Sequence, residues 1–214
     1  MSLLNGIAEN ACVMHLIRHG ATPPNLVEPP VIQGAGINEP LAPIGREQAA
    51  LLGAAMRGVP LQAVYSSPLI RAMETAEAVA APHGLSVTTV DGLKEVEVGR
   101  WEGLDWDVIQ RDDPEAYRHF RDDPASNGYP GGETLQGLLD RVKAAIFELL
   151  DKHIGGQIAV VAHSVVNRVY MGDLLGLPLN RAYPIRQDNT GVNIVRWREG
   201  AAKAITVNGV QHLL

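Results

Sequence analysis

Two short apolar runs in this chain stop in the same way. Cys12-Val13-Met14-His15-Leu16-Ile17 ends on Arg18-His19-Gly20, and Ile158-Ala159-Val160-Val161-Ala162 ends on His163. Neither run alternates apolar with polar residues, as expected of strands covered on both faces of a parallel sheet. Residues 43–57 have helical character, with Pro43 at the front and Gly58 and Pro60 as stop signals. Ala63–Ser66 reads as a strand, and Pro68 opens a helix carrying Ala72, Ala76 and Val79 at helical spacing. Ser86–Val90 alternates β-branched residues and predicts another strand. Leu135, Leu138, Leu139, Val142, Ile146, Leu149 and Leu150 form one stripe, which predicts a helix over 134–152. Val165–Leu175 continues as helix, and Val192–Trp197 with Ala202–Val207 predicts a hairpin around Glu199-Gly200. This alternation implies an α/β fold, a three-layer α/β/α sandwich with a mostly parallel central sheet.

Two segments interrupt the alternation. Residues 21–42 hold five prolines and no usable period, a long loop directly after Arg18-His19-Gly20. Residues 105–132 are polar and carry Arg-Asp-Asp-Pro twice, at 111–114 and 121–124. Aspartate before proline is a helix-start signature, so both steps predict helix starts within a small helical insertion. The 214 residues fit one domain over 1–214 with that insertion.

Composition narrows the function classes. The chain is 46% hydrophobic and 20% charged, as in ordinary globular proteins. A net charge of −6 argues against nucleic-acid binding, which needs a basic face. It leaves room for an anionic small molecule in a locally positive cleft. No apolar run approaches the roughly 20 residues that cross a bilayer, and Met1–Asn10 lacks the pattern of a secretory leader. The single cysteine, Cys12, forms no internal disulfide and reads as a buried thiol. The expected location is cytoplasmic, with no membrane or nucleic-acid partner.

In an open parallel sheet, ligands bind beyond the carboxyl ends of the strands. His19 and His163 both fall there. Successive strand residues face opposite ways, so the chain must leave strand geometry if Arg18 and His19 share a site, and Gly20 permits a turn. His15 and His19 are about 13 Å apart along a strand and cannot share an ion. There is no His-Glu-x-x-His and no cysteine cluster, so no metal is expected. Ser164 lacks a Gly-x-Ser-x-Gly elbow and is expected to cap the following helix instead. Gly34-Ala35-Gly36 has Glu39 at the third glycine position and no strand before it, so no nucleotide cofactor is expected. Imidazoles and arginines alone suit phosphoryl transfer: histidine as a covalent nucleophile, arginine forks on the phosphate oxygens.

At these residues the chain resembles the histidine phosphatase superfamily, the phosphoglycerate mutase-like proteins. The opening motif is Leu16-Ile17-Arg18-His19-Gly20-Ala21-Thr22 with Asn25. Ser66-Ser67-Pro68-Leu69-Ile70-Arg71-Ala72 resembles the segment of a second phosphate-binding arginine. Leu93-Lys94-Glu95, followed by Gly99-Arg100-Trp101-Glu102-Gly103, resembles the acidic segment. Gly131-Gly132-Glu133-Thr134 and Val161-Ala162-His163-Ser164 complete the series. The resemblance implies that His19 becomes a phosphohistidine, that Arg18, Arg71 and His163 hold the phosphoryl oxygens with Asn25 assisting, and that Glu95 is the proton donor. Thr22 and Ser164 are further candidate substrate contacts. Glu97 and Glu102 compete with Glu95, which leads by motif position. Ala21 departs from the glutamate or glutamine of many relatives, and Ser164-Val165 from their glycine pair, placing β-branched bulk beside the expected phosphate pocket.

The resemblance implies a cofactor-free, metal-independent phosphomonoesterase of the histidine acid phosphatase type, acting on a small phosphorylated metabolite. The alternatives are a cofactor-dependent phosphoglycerate mutase and a non-catalytic phosphate-binding protein of the same fold. The modest 105–132 segment favours the phosphatase, since the mutase branch carries a longer insertion there. Arg100, Arg111, Arg118 and Arg121 are candidate rim contacts. Oligomeric state is not legible.

Overall fold

The structure, a computed structural model, describes residues 9–214. Residues 1–8, most of the stretch read above for a leader, lie outside the described residues. In chain order the elements are β1 (Ala11–Arg18), the single turn α1 (Pro23–Leu26), α2 (Pro43–Met56), β2 (Leu61–Ser66), α3 (Ile70–Ala80), β3 (Val87–Thr89), α4 (Trp106–Asp112), α5 (Pro114–Asp122), α6 (Leu135–Lys152), β4 (Gln157–Ala162), α7 (Ser164–Leu174), β5 (Val192–Arg198) and β6 (Ala201–Gly209). The expected strands and helices are all present, with shifted ends. None of these helices is long and apolar enough to cross a membrane.

The sheet order is β3-β2-β4-β1-β5-β6. β3, β2, β4 and β1 run parallel, and β5 and β6 add antiparallel pairs. Leu52, Met56, Ala72, Ala76 and Val79 of α2 and α3 cover Ile17, Val64, Ala159 and Val161 on one face. Leu138, Val142 and Ile146 of α6 and Val166 and Val169 of α7 cover Met14, Leu16, Ile158 and Val160 on the other. Every residue of β4 is buried, which is why its sequence shows no polar alternation. His15 is satisfied within the core, its Nε2 3.0 Å from Gln157 Oε1.

Register sets the site. Arg18 pairs with Ala162 across β1 and β4, and Ser66 pairs with Val161 across β2 and β4. The residues that follow, His19, His163 and Ser67, therefore leave three adjacent parallel strands along one edge.

The long loop is tied to the stretch that leads into the insertion. Ile32 N–H donates to Leu104 O (2.8 Å), Gly103 N–H to Ile32 O (2.9 Å) and Ala35 N–H to Val96 O (3.0 Å). Trp101, 1% exposed, anchors the insertion edge-on to Trp106, Phe120 and Tyr129. The two Asp-Pro steps behave differently. Pro114 is the first residue of α5, but Asp123-Pro124 closes that helix, the Asp123 carboxylate accepting Ala125 N–H in a turn. The insertion's first helix starts without proline, at Asp105, whose Oδ1 accepts from Asp107 and Val108 N–H (2.9 Å each). Asp113 occupies the cap position of α5 as expected, and its carboxylate takes Trp101 Nε1–H and the Arg100 fork.

Gly20 is needed for space, not for an unusual turn, since its backbone lies outside the left-handed region. A Cβ there would lie 2.5 Å from Gly45 O, and one on Gly45 would lie 2.0 Å from Ala21 O. The first turn of α2 thus presses backbone to backbone on the chain just after His19. Gly45→Ala is expected to cost about 1–3 kcal/mol in chemical denaturation, the usual range for overpacking. Gly58→Ala, with nothing within 4 Å, should leave stability unchanged.

Candidate active site

His19 is 3% exposed, and its Nδ1–H donates to Gly20 O (2.7 Å). A carbonyl only accepts, so the neutral ring keeps its lone pair on Nε2. The His163 ring centroid is 5.2 Å away, at an interplanar angle of 60°. The Ser67 hydroxyl oxygen accepts Leu69 N–H, and its own proton has no acceptor among the described residues other than His163 Nε2 (2.7 Å), to which it donates. That bond assigns the proton of neutral His163 to Nδ1, which is buried and has no partner.

The arginines repeat this arrangement. Arg18 Nη1 donates to Gln187 O (2.7 Å), while its Nε is buried and unpartnered. Arg71 is fully buried; Nη1 donates to Ile37 O (2.6 Å) and Nη2 to Gly34 O (3.0 Å), leaving Nε without an acceptor. Carbonyls of the long loop and of the segment before β5 fix both forks. Three N–H groups lack acceptors: His163 Nδ1, on the ring 5.2 Å from that of His19, and the Nε of Arg18 and Arg71, whose charges both act on His19. Buried donors are ordinarily paired, so such a set calls for an acceptor from outside the chain. A tetrahedral oxyanion supplies several.

Gln33, absent from the sequence reading, presents a fourth unpartnered donor, its Nε2, while its Oε1 accepts the Thr22 hydroxyl (2.7 Å). The Thr22 hydroxyl is thereby committed to Gln33. Asn25 Oδ1 accepts Thr22 N–H (3.1 Å) and Asn189 Nδ2–H (3.2 Å), and Asn189 also donates to His19 O (3.0 Å). Behind them Thr190, at φ 57°, donates its N–H to Arg18 O (3.0 Å). A β-branched residue in that region stores about 1–3 kcal/mol of strain.

The three competing carboxylates separate by what they face. Glu95 is 3% exposed; Oε1 accepts Val96 and Val166 N–H (3.0 and 3.3 Å), and Oε2 accepts Val165 N–H (3.2 Å). Glu97 is exposed. Glu102 accepts Gly34 and Gly36 N–H (2.6 and 3.1 Å), and so holds the loop that fixes Arg71. Ser164 does not cap α7: His163 occupies the cap position, and Glu95 takes the free N–H groups. Val166 is buried in the core, Val165 packs partly against it, and both N–H groups donate to Glu95. Arg141, also missed, secures the Glu95 segment through Gly92, Lys94 and Glu95 carbonyls, while paired with Glu133 (2.7 Å). Arg100 is committed to Asp113 and Arg111 to Asp112.

Burial, reinforced by Arg18 and Arg71, holds the His19 imidazole well below the ordinary histidine range. Burial and then Arg71 do the same to His163. Burial lowers the Arg18 guanidinium to about 10, so it stays charged at neutral pH. Below about pH 6.5 the unfolded chain binds protons on both imidazoles while the folded chain does not, so acidification destabilises the fold. Without phosphate, the melting temperature should fall between pH 7 and pH 5, and fall less in His19→Ala. An equal fall in both proteins would contradict this origin.

Over residues 14–209 the chain matches the histidine phosphatase superfamily (branch 1). It is 30% identical over 199 residues to phosphoserine phosphatase 1 of Hydrogenobacter thermophilus, covering 92% of each chain. To phosphoglycerate mutase-like protein 4 of Arabidopsis thaliana it is 35% identical over 208 residues, covering 92% of this chain and 85% of that one. The solved phosphoserine phosphatase of Entamoeba histolytica, in complex with 3-phosphoglyceric acid, superposes with a TM-score of 0.83 at 27% identity, covering 95% of this chain and 100% of that one. The chain belongs to the histidine phosphatase superfamily.

Proposed function

We propose that this chain is a cytoplasmic phosphomonoesterase that passes the phosphoryl group of a small phosphorylated metabolite to His19 and then to water. The carrying observation is that Arg18, Arg71 and His163, whose charge or ring acts on His19, each keep a buried N–H without an acceptor, while His19 keeps a free lone pair on Nε2. In the first step Nε2 attacks phosphorus, the bond to the leaving oxygen breaks, and Glu95 gives that oxygen its proton. In the second, the Glu95 carboxylate takes a proton from water, the hydroxyl oxygen attacks phosphorus, and the P–N bond breaks to release inorganic phosphate. Arg18, Arg71 and the Nδ1–H of His163 hold the equatorial oxygens throughout, where charge accumulates. Asn25 assists through its amide nitrogen, its oxygen being occupied by Thr22 and Asn189.

The fixed guanidinium charges do the work a metal would do elsewhere, so turnover should persist in EDTA. The relative from Arabidopsis keeps a mutase reading in view. Two features favour hydrolysis: the modest 105–132 segment and the end-to-end match to a phosphoserine phosphatase. Phosphate release from p-nitrophenyl phosphate supports the phosphatase. Isomerisation of 3-phosphoglycerate primed with 2,3-bisphosphoglycerate, without release, supports the mutase, and inertness supports a binding protein.

His19→Ala is expected to abolish turnover with the circular dichroism spectrum unchanged. In Glu95→Gln, the loss of acid–base assistance should lower kcat on an alkyl phosphate by about 10²–10⁴-fold. On p-nitrophenyl phosphate, whose leaving group needs little protonation, the same variant should give a burst equal to the enzyme concentration and an acid-labile phosphoprotein in rapid-quench samples. No burst, together with equal losses on both esters, would remove Glu95 from the proposed role.

A further inference from the structure

The segment between α7 and β5 makes a row of contacts that the phosphoryl chemistry uses only in part. The Tyr183 ring lies 4.9 Å from Arg168 Cζ. Ile185 O accepts Arg168 Nε–H (3.1 Å), Gln187 O accepts Arg18 Nη1–H (2.7 Å), and Asn189 reaches His19 O. Every second residue of one strap thus holds a member of a row that runs from Arg168 through Arg18 to His19. Arg168 comes from the second turn of α7, the helix that starts at His163.

Arg168 is half-buried, and no ion pair among the described residues includes it. Of its guanidinium nitrogens only Nε is hydrogen-bonded. Its charge opposes that of Arg18, whose charged neighbours also include Glu95 and Asp188. Two like charges held near each other repel, and an anion beside the unpaired one offsets that repulsion. Glu95 is bound to Val165 and Val166 N–H in the first turn of α7, within one turn of Arg168. That places Arg168 on the Glu95 side of the site, where the leaving group departs in the proposed reaction.

Building on the phosphatase reading, we infer that Arg168, stacked on Tyr183, is a second anion subsite, and that the substrate is a phosphomonoester whose alcohol portion carries an additional anionic group. A guanidinium fork stacked on a phenol ring is pre-oriented to hold either a carboxylate or a second phosphate in a bidentate manner. Its two free nitrogens are the number such a grip needs.

The test compares matched esters. 3-Phosphoglycerate and glycerol 3-phosphate differ by a carboxylate against a hydroxymethyl group. Propane-1,3-diol bisphosphate and its monophosphate differ by a second phosphate. Wild type should prefer the more anionic member of at least one pair in kcat/KM, and the pair concerned identifies the anion. Arg168→Ala should lower kcat/KM for the preferred ester about 10–100-fold more than for its partner, the worth of a charged hydrogen bond. Tyr183→Ala should weaken the preference and Tyr183→Phe should retain it. Tyr183 is 65% exposed, so this pair decides the matter even if Arg168→Ala fails to fold. Equal losses on both members, or no preference in wild type, overturn the subsite. If p-nitrophenyl phosphate is still hydrolysed in that case, only the subsite falls. If wild type hydrolyses no phosphomonoester at all, the phosphatase reading falls with it.

Discussion

A buried N–H without an acceptor costs about 1–3 kcal/mol, and this fold keeps three of them on side chains whose charge or ring acts on a single imidazole. Much of the surrounding architecture keeps those donors from finding partners inside the protein. The remaining nitrogens of Arg71 are taken by Ile37 and Gly34 carbonyls, so the guanidinium cannot rotate to satisfy its Nε elsewhere. Gln187 similarly pins Arg18, and the Ser67 hydroxyl pins His163 in the tautomer that turns a proton towards the centre. The site is organised before any anion arrives, and electrostatic catalysis depends on that preorganisation.

The carboxylates support the same arrangement from outside. Glu102 holds the loop that aims Arg71, and Glu133 neutralises Arg141, which carries the segment bearing Glu95. Glu95 alone among them is joined to the helix that begins at His163, so the expected proton donor and the second imidazole move as one body. Both imidazoles remain uncharged chiefly because they are buried, and the nearby guanidinium groups reinforce it. Cationic binding groups and a neutral nucleophile are therefore compatible in one buried site.

The sheet and its helices were largely legible because hydrophobic period reports burial directly. β4 reads as an unbroken apolar run, and α6 as an unbroken stripe. His19 and His163 were legible because strand ends in such a sheet are where ligands bind, and Arg71 only through its motif's resemblance to the family. What stayed hidden rests on contacts between distant loops. Gln33 and Arg141 act through partners far along the chain, and no local pattern encodes such a meeting. Ser67 lay inside a quoted motif, but its role depends on the β2–β4 register. Ser164 was read as a cap from residue type alone, whereas a carboxylate from a distant loop supplies those hydrogen bonds. The second Asp-Pro step shows the same limit, since identical residues start one helix and end another.

The position of β1 has a consequence for how the molecule is made. Its two neighbours, β4 and β5, begin at Gln157 and Val192, so β1 has both ladder edges open until they emerge far along the chain. Non-local pairing of this kind slows folding, and exposed strand edges invite association with other chains. A nascent chain stalled before β4 can bring no second imidazole to His19, which leaves β1 both sticky and chemically idle.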